Sequence, residues 1–218
     1  MYENTRARGR IAVRTKSGGK TSGHGTVGPD VSSSDLHPLL RLRRSSRTFD
    51  PSYGLPEEVL VLLLEAARWA PSAGNSQPWA FVVARRGEPA HHRMVARLSR
   101  GTAAWAPAAA ALVLTLHRVG HDEDPAMAFS DYALYDLGQA VAHLTVQAEA
   151  LGLQVHQFAG FDHDGAATEF GVTPAWRVTT GLAIGQRPAG EPTPTTRRER
   201  KPLSELVFTD GYGVPRWP

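Results

Sequence analysis

The chain has 218 residues, room for one large domain or two small ones, with 41% hydrophobic and 21% charged side chains, an ordinary globular balance. It holds no cysteine, which excludes disulfides, thiolate metal sites and thiol nucleophiles. Its net charge of +3 resides wholly in residues 1–36, where six basic side chains face three acidic ones; the neutral remainder lacks the basic face that a nucleic-acid-binding domain needs.

Residues 1–34 are rich in Gly, Ser, Thr and Arg and poor in large apolar side chains, so they are expected to form a disordered basic tail ahead of one domain over 35–218. "SGGKT" within the tail ends like a phosphate-binding loop. That motif requires Gly five positions before Gly19, where Arg14 stands, so a nucleotide site is not expected there. No apolar run reaches signal-peptide or membrane-spanning length, and a soluble, cytoplasmic protein with no membrane partner is the expectation.

Order is expected from about Ser34. "SDLHPLLRLRRSS" reads as a short helix with Leu36, Leu39, Leu40 and Leu42 facing inward. "LPEEVLVLLLEAARWA" reads as a helix with Pro56, Glu57 and Glu58 at its start and Pro71 as its stop; its apolar excess implies burial on more than one side. "WAFVVAR" from Trp79 predicts a strand, "PAHHRMVARLSR" a helix, and "AAAALVLTLH" a central strand covered on both faces. Residues 130–152 predict a long helix capped by Ser130 or Asp131 and ended by Gly152, so apolar around its circumference that it belongs in a large core or between subunits. "LQVHQFAGF" and "VTTGLAIG" add two strands, and "EPTPTTRRERKPLSELVF" a basic, extended C-terminal arm. Strands separated by helices define an α+β domain.

Two basic clusters, "RRSSR" at 43–47 and "RRERK" at 197–201, flank the fold. Guanidiniums beside hydroxyls suit a phosphate group, although an isolated cluster of this kind is more often a solvated helix end. "HRVGHDED" and "FDHD" contain metal-ligand residue types but no tetrahedral set, and read as acidic turns rather than a metal site. No G-x-S-x-G occurs, and no G-x-G-x-x-G stands between a predicted strand and a predicted helix (the one match, Gly23 to Gly28, falls in the tail), leaving no support for a serine nucleophile or a Rossmann domain.

"RRSSRTF", an apolar helix, and then "APSAGNSQPW" together resemble the nitroreductase family of FMN-dependent oxidoreductases. "WAP" before a strand, "DLGQA", "GFD", "GLAIG" and "RKPLSELV" extend the resemblance over residues 36–215. It implies a nitroreductase-like fold with a mixed or antiparallel central sheet flanked by helices, in an intertwined homodimer whose flavin sites draw on both subunits. By the same resemblance, Arg43, Arg44 and Ser45 would hold the FMN phosphate and ribityl chain, and Arg47 the flavin pyrimidine edge. Pro71, Ser72, Ala73 and Asn75 would reach the flavin from the partner, with Gln77 either joining them or tying the loop. Ala159 and Gly160 would pass the N5 edge, where some relatives carry Glu at the first position. Arg198 and Arg200 would close on the phosphate.

The expected activity is oxidation of NAD(P)H through non-covalent FMN, with hydride delivered to N5 and passed to an electron-poor acceptor such as a nitroaromatic or quinone by ping-pong exchange. The flavin carries the chemistry, so no catalytic side chain is expected. A specialised flavin reductase, dehydrogenase or dehalogenase of the same fold, or a redox-quiet flavin-binding or regulatory protein, are the alternatives. Tyr132, Tyr135 and Trp105 are candidates for lining a substrate pocket or for core.

Overall fold

A computed structural model describes residues 33–191 and 198–216; these fall into two compact units, one within 32–195 and one within 196–218. The expectations for the N-terminal tail and its "SGGKT" lie outside the described residues.

The larger unit is built on four antiparallel strands, β1 (Trp79–Arg85), β2 (Ala111–Arg118), β3 (Gln154–Phe158) and β4 (Trp176–Gly185), in the order β1-β2-β4-β3. Of the mixed and antiparallel sheets expected, the antiparallel one forms. Its helices are α1 (Pro38–Leu42), α2 (Glu57–Arg68), α3 (Pro89–Val95), α4 (Arg100–Ala103), α5 (Ala133–Ala150) and α6 (His163–Glu169).

Period-two alternation splits the sheet between two cores. Val113, Leu182, Ile184 and Val155 face α2 and α5, which contribute Leu60, Leu63, Leu137, Val141 and Leu144. Leu112, Leu114, Leu116 and Ala183 face the other way, onto Phe49, Met94, Ala106, Phe158 and Phe161. In β4 the alternation slips between residues paired with Thr115 and Leu116, where Thr179 bulges. The bulge returns Val178 to the same face as Ala183. β2 is the central strand the sequence predicts, with residues 111–116 buried throughout.

Three expectations change. The leucines of α1 do not all turn inward: Leu36, Leu40 and Leu42 are exposed and Leu39 is half-buried, because a five-residue helix has only the edge of α5 beside it. In α2 only Leu60, Leu63 and Ala67 are buried, while Val61, Leu62 and Trp69 face out of the single chain. Neither Ser130 nor Asp131 caps α5; Tyr132 holds the cap position, and the Ser130 Oγ accepts from the Tyr132 N–H at 3.2 Å in the preceding turn. The helix ends as expected, with Gly152 at φ +72°, the left-handed conformation that favours glycine.

Within the second unit, 198–216, the expected extended arm instead folds back. A turn at Leu203–Glu205 leads to a hairpin in which Phe208 pairs with Pro215 and the Phe208 and Tyr212 rings lie 4.8 Å apart. No helix among the described residues is long and apolar enough to cross a membrane.

Candidate functional site

Segment 43–50 leaves the end of α1 and runs beside the β3 edge of the sheet. Phe49 anchors it, 3% exposed beneath β4, where a Cβ on Gly185 would meet the Phe49 ring at 2.8 Å. The Asp50 N–H donates to the Gln186 carbonyl at 2.8 Å. Arg44 turns back on α1: its Nη1 donates to the carbonyls of Arg41, Leu42 and Arg43 at 3.0, 3.2 and 3.2 Å, satisfying acceptors that a helix C-terminus leaves open. Its Nε–H is buried without a partner, a donor still to be satisfied. The Arg43 Nη1 donates to Ser45 Oγ at 3.2 Å, and the Arg47 guanidinium lies 5.9 Å over the Trp105 ring. Guanidinium and hydroxyl donors of this kind suit a phosphate group.

Ala159 and Gly160 follow β3. The Phe158 ring before them sits over Gly181, and Trp105 bridges Phe49, His156 and Phe158. These two glycines of "GLAIG" are therefore the spaces that admit Phe49 and Phe158. Gly160 is required by its own surroundings, since a Cβ there would clash with Thr102 Oγ1 and lie 2.8 Å from Ser99 Oγ. His163, stacked on Phe161 at 3.9 Å, places Nε2 3.2 Å from the Ala159 carbonyl.

Loop 71–78 has an unusual backbone. Gly74, Asn75 and Gln77 take φ of 59°, 55° and 48°, two of them left-handed residues with a side chain. Hydrogen bonds hold that shape: Ser72 Oγ accepts from the Gln77 N–H at 2.9 Å, and the Asp136 carboxylate accepts from the Ala73 N–H at 3.0 Å. Asp136, in the first turn of α5, is 3% exposed. Pro71, Ser72 and Ala73 line an open cleft of about 350 Å³ with Tyr132, Tyr135 and Gln139. Gln77 points its amide at Asn75, at 3.3–3.4 Å, so it ties the loop.

The register separates these pieces. His156 stands opposite Ala183, which pairs with Leu112, which pairs with Ala84, whereas the loop enters β1 at Trp79. Three strand spacings and five residues along the strand amount to about 14 Å across and about 17 Å along the sheet. Segment 43–47 and residues 159–160 thus share the β3 edge, and loop 71–75 lies at the β1 edge. Arg198 and Arg200 belong to the second unit, where the Arg200 Nη1 donates to the Glu199 carbonyl at 2.7 Å.

Of the aromatic candidates, Trp105 packs into the aromatic cluster, while Tyr132 and Tyr135 are exposed on the cleft. "HRVGHDED" holds an Arg118–Asp122 ion pair at 2.6 Å, and in "FDHD" Asp162 is the N-cap of α6, accepting from the Gly165 N–H at 2.9 Å. That helix was not foreseen; its sequence signals were the Asp cap and Gly171 after its end. Asp136 was likewise not foreseen as the residue that fixes the loop.

Comparison with known proteins agrees with this architecture. The model of the nitroreductase family matches residues 40–186, and the chain belongs to that family. An uncharacterised 15.4 kDa protein of Mycolicibacterium smegmatis is 33% identical over 150 residues, covering 62% of this chain and 98% of that protein. The major NAD(P)H-flavin oxidoreductase of Aliivibrio fischeri is 46% identical over 50 residues, 22% of this chain and 23% of its own length. Among solved structures, an oxidoreductase containing FMN superimposes with a TM-score of 0.74 at 28% identity, over 89% of this chain and all of that one.

Proposed function

We propose that this protein is a homodimeric, FMN-dependent oxidoreductase in which each flavin site combines segment 43–47 and residues 159–160 of one subunit with loop 71–75 of the other. The observation that carries this reading is the separation of the two motif-bearing segments on opposite edges of one sheet. A single chain cannot close both around one ring system, but a two-fold copy brings the β1 edge of one to the β3 edge of the other. Apolar side chains uncovered in the single chain, including Leu62 and Trp69 on α2 and Leu134 on α5, supply the surface for that contact.

In this arrangement Arg43 and Ser45 bind the phosphate, and Arg44, committed to α1, fixes the end of the helix behind them and contributes its Nε–H. Arg47 provides positive charge at the pyrimidine edge, where negative charge accumulates on reduction. The family pattern adds Arg198 and Arg200 as further phosphate ligands. Pro71, Ser72 and Ala73 bring backbone close to a planar ring, and Asn75 can donate and accept there. The backbone at Ala159 and Gly160 borders the reactive edge. Bound FMN supplies the two-electron redox chemistry, with NAD(P)H as donor and an electron-poor organic molecule as acceptor in alternate turns at one open face.

The names of the FMN-containing structure and of the flavin oxidoreductase relative favour this cofactor and donor class. The test is an absorbance spectrum of the purified protein, then anaerobic addition of NADH or NADPH. Bleaching of a flavin band by either donor is the expected result; a colourless protein that takes up no added FMN overturns the reading.

A further inference from the structure

We propose that Gln154 and His156 are positioning residues that fasten the phosphate-binding segment to β3 through Ser46, and so set the preference of the site for FMN over riboflavin. The proposal rests on the flavin reading above and extends it to residues that touch no ligand.

Ser46 is gripped at two atoms. His156 Nδ1 lies 2.8 Å from its carbonyl oxygen. With its amide oriented to satisfy both ends, Gln154 donates to Ser46 Oγ at 2.9 Å and accepts from Arg187 Nη2 at 2.8 Å and Nε at 2.5 Å. A carbonyl only accepts, so the ring nitrogen facing it carries the hydrogen, and Nδ1–H is the donor. Burial, opposed by the hydrogen bonds to the Ser46 and Ser45 backbone and reinforced by Arg47 and Arg43, pushes the His156 pKa below its ordinary value, which favours the neutral ring.

The two side chains sit two residues apart on one face of β3, the face that next presents Phe158 to the aromatic cluster. Gln154 is 7% exposed and His156 half-buried, although an apolar pair would pack there at no desolvation cost. Their hydrogen bonds go to Ser46, and Trp105 closes the far side, 4.3 Å from the His156 ring and 5.9 Å from the Arg47 guanidinium. Ser46 is drawn toward the sheet, while its neighbours Ser45 and Arg47 are exposed. Fixing the middle residue therefore orients the two side chains on either side of it, which are the ones assigned to the cofactor.

The experiment measures dissociation constants of FMN and riboflavin by quenching of flavin fluorescence for the full chain and three variants, His156→Val, Gln154→Val and His156→Asn. Thermal melting of each apoprotein confirms that it is folded. Riboflavin lacks the phosphate but keeps the pyrimidine edge assigned to Arg47, so a defect in the phosphate segment weakens FMN more than riboflavin. Each valine variant is expected to lose about three- to tenfold in FMN affinity with riboflavin unchanged within about twofold, the effect of one hydrogen bond. His156→Asn, whose amide nitrogen replaces Nδ1, is expected to recover the FMN-to-riboflavin ratio. Equal weakening of both ligands, or an unchanged ratio in both valine variants, overturns the proposal and leaves the flavin reading standing. A wild-type protein that binds neither ligand overturns both.

Discussion

Gly181→Ala gives the most direct check on how the β3 edge is built. A Cβ at residue 181 would lie closer than 3.0 Å to three atoms of the Phe158 ring, Cε1, Cε2 and Cζ. The ring has no vacant space to swing into, since Phe158 is 7% exposed and meets Trp105 and Phe161 edge-on at centroid distances of 5.9 Å each. Overpacking of this kind costs about 1–3 kcal/mol, and a domain of this size loses about 2–4 °C of melting temperature per kcal/mol. The expected fall is thus about 2–12 °C, read by thermal melting of the apoprotein. A double-mutant cycle identifies the cause. Phe158→Leu alone leaves a void and destabilises, but joined to Gly181→Ala it removes the colliding ring. The double variant should then be more stable than the sum of the two losses requires, by about 1 kcal/mol or more. Strict additivity, or a neutral Gly181→Ala, would refute the reasoning that this glycine exists to seat Phe158.

Arg43→Ala is expected to weaken FMN retention about ten- to a hundredfold, the value of one charge-assisted contact, in a fluorescence titration; unchanged affinity would contradict the phosphate assignment. Asp136→Leu leaves the Ala73 N–H without its acceptor and should cost about 1–3 kcal/mol in urea unfolding, and Asp136→Asn, which keeps one acceptor oxygen, should cost less. His91, His117 and His156 all have pKa values pushed down, chiefly by burial. Because the unfolded chain then takes up protons first, stability should be full above about pH 6.5 and fall as the pH drops below it. Melting temperatures across that range check the sign, and a rise on acidification would contradict it. Removal of residues 1–32, which are poor in large apolar side chains, should change neither the melting temperature nor the flavin content.

Much of this fold is legible in the sequence because local pattern and tertiary role agree. β2 reads as central since its residues are small or apolar on both faces, and α2 and α5 are long, largely apolar runs with proline or glycine at their limits. Legibility failed where the outcome depends on what lies alongside. The leucines of α1 announce a buried face, but one chain offers little to bury them against. Ser130 and Asp131 are good capping residues by type, yet the chain turns before α5 begins. In β3 the polar Gln154 and His156 alternate with apolar residues as a solvent-facing pattern would, and their true direction, into the aromatic core, is set by Ser46 and Arg187 from distant parts of the sequence. The site motifs were visible by residue type. Their placement on opposite sheet edges was not, because it follows from strand order.

That placement is also the central claim, and a mixed dimer tests it. Arg43→Ala disables the segment at the β3 edge, and Ala73→Trp blocks the exposed loop at the β1 edge. If each site joins the segment of one subunit to the loop of the other, a dimer of the two variants contains one site with both defects and one with neither. Co-expressed with different affinity tags and purified through both, it should bind one FMN per dimer with wild-type affinity, although neither parent homodimer does. Absence of any wild-type-affinity site in the mixed dimer would contradict a site shared between subunits.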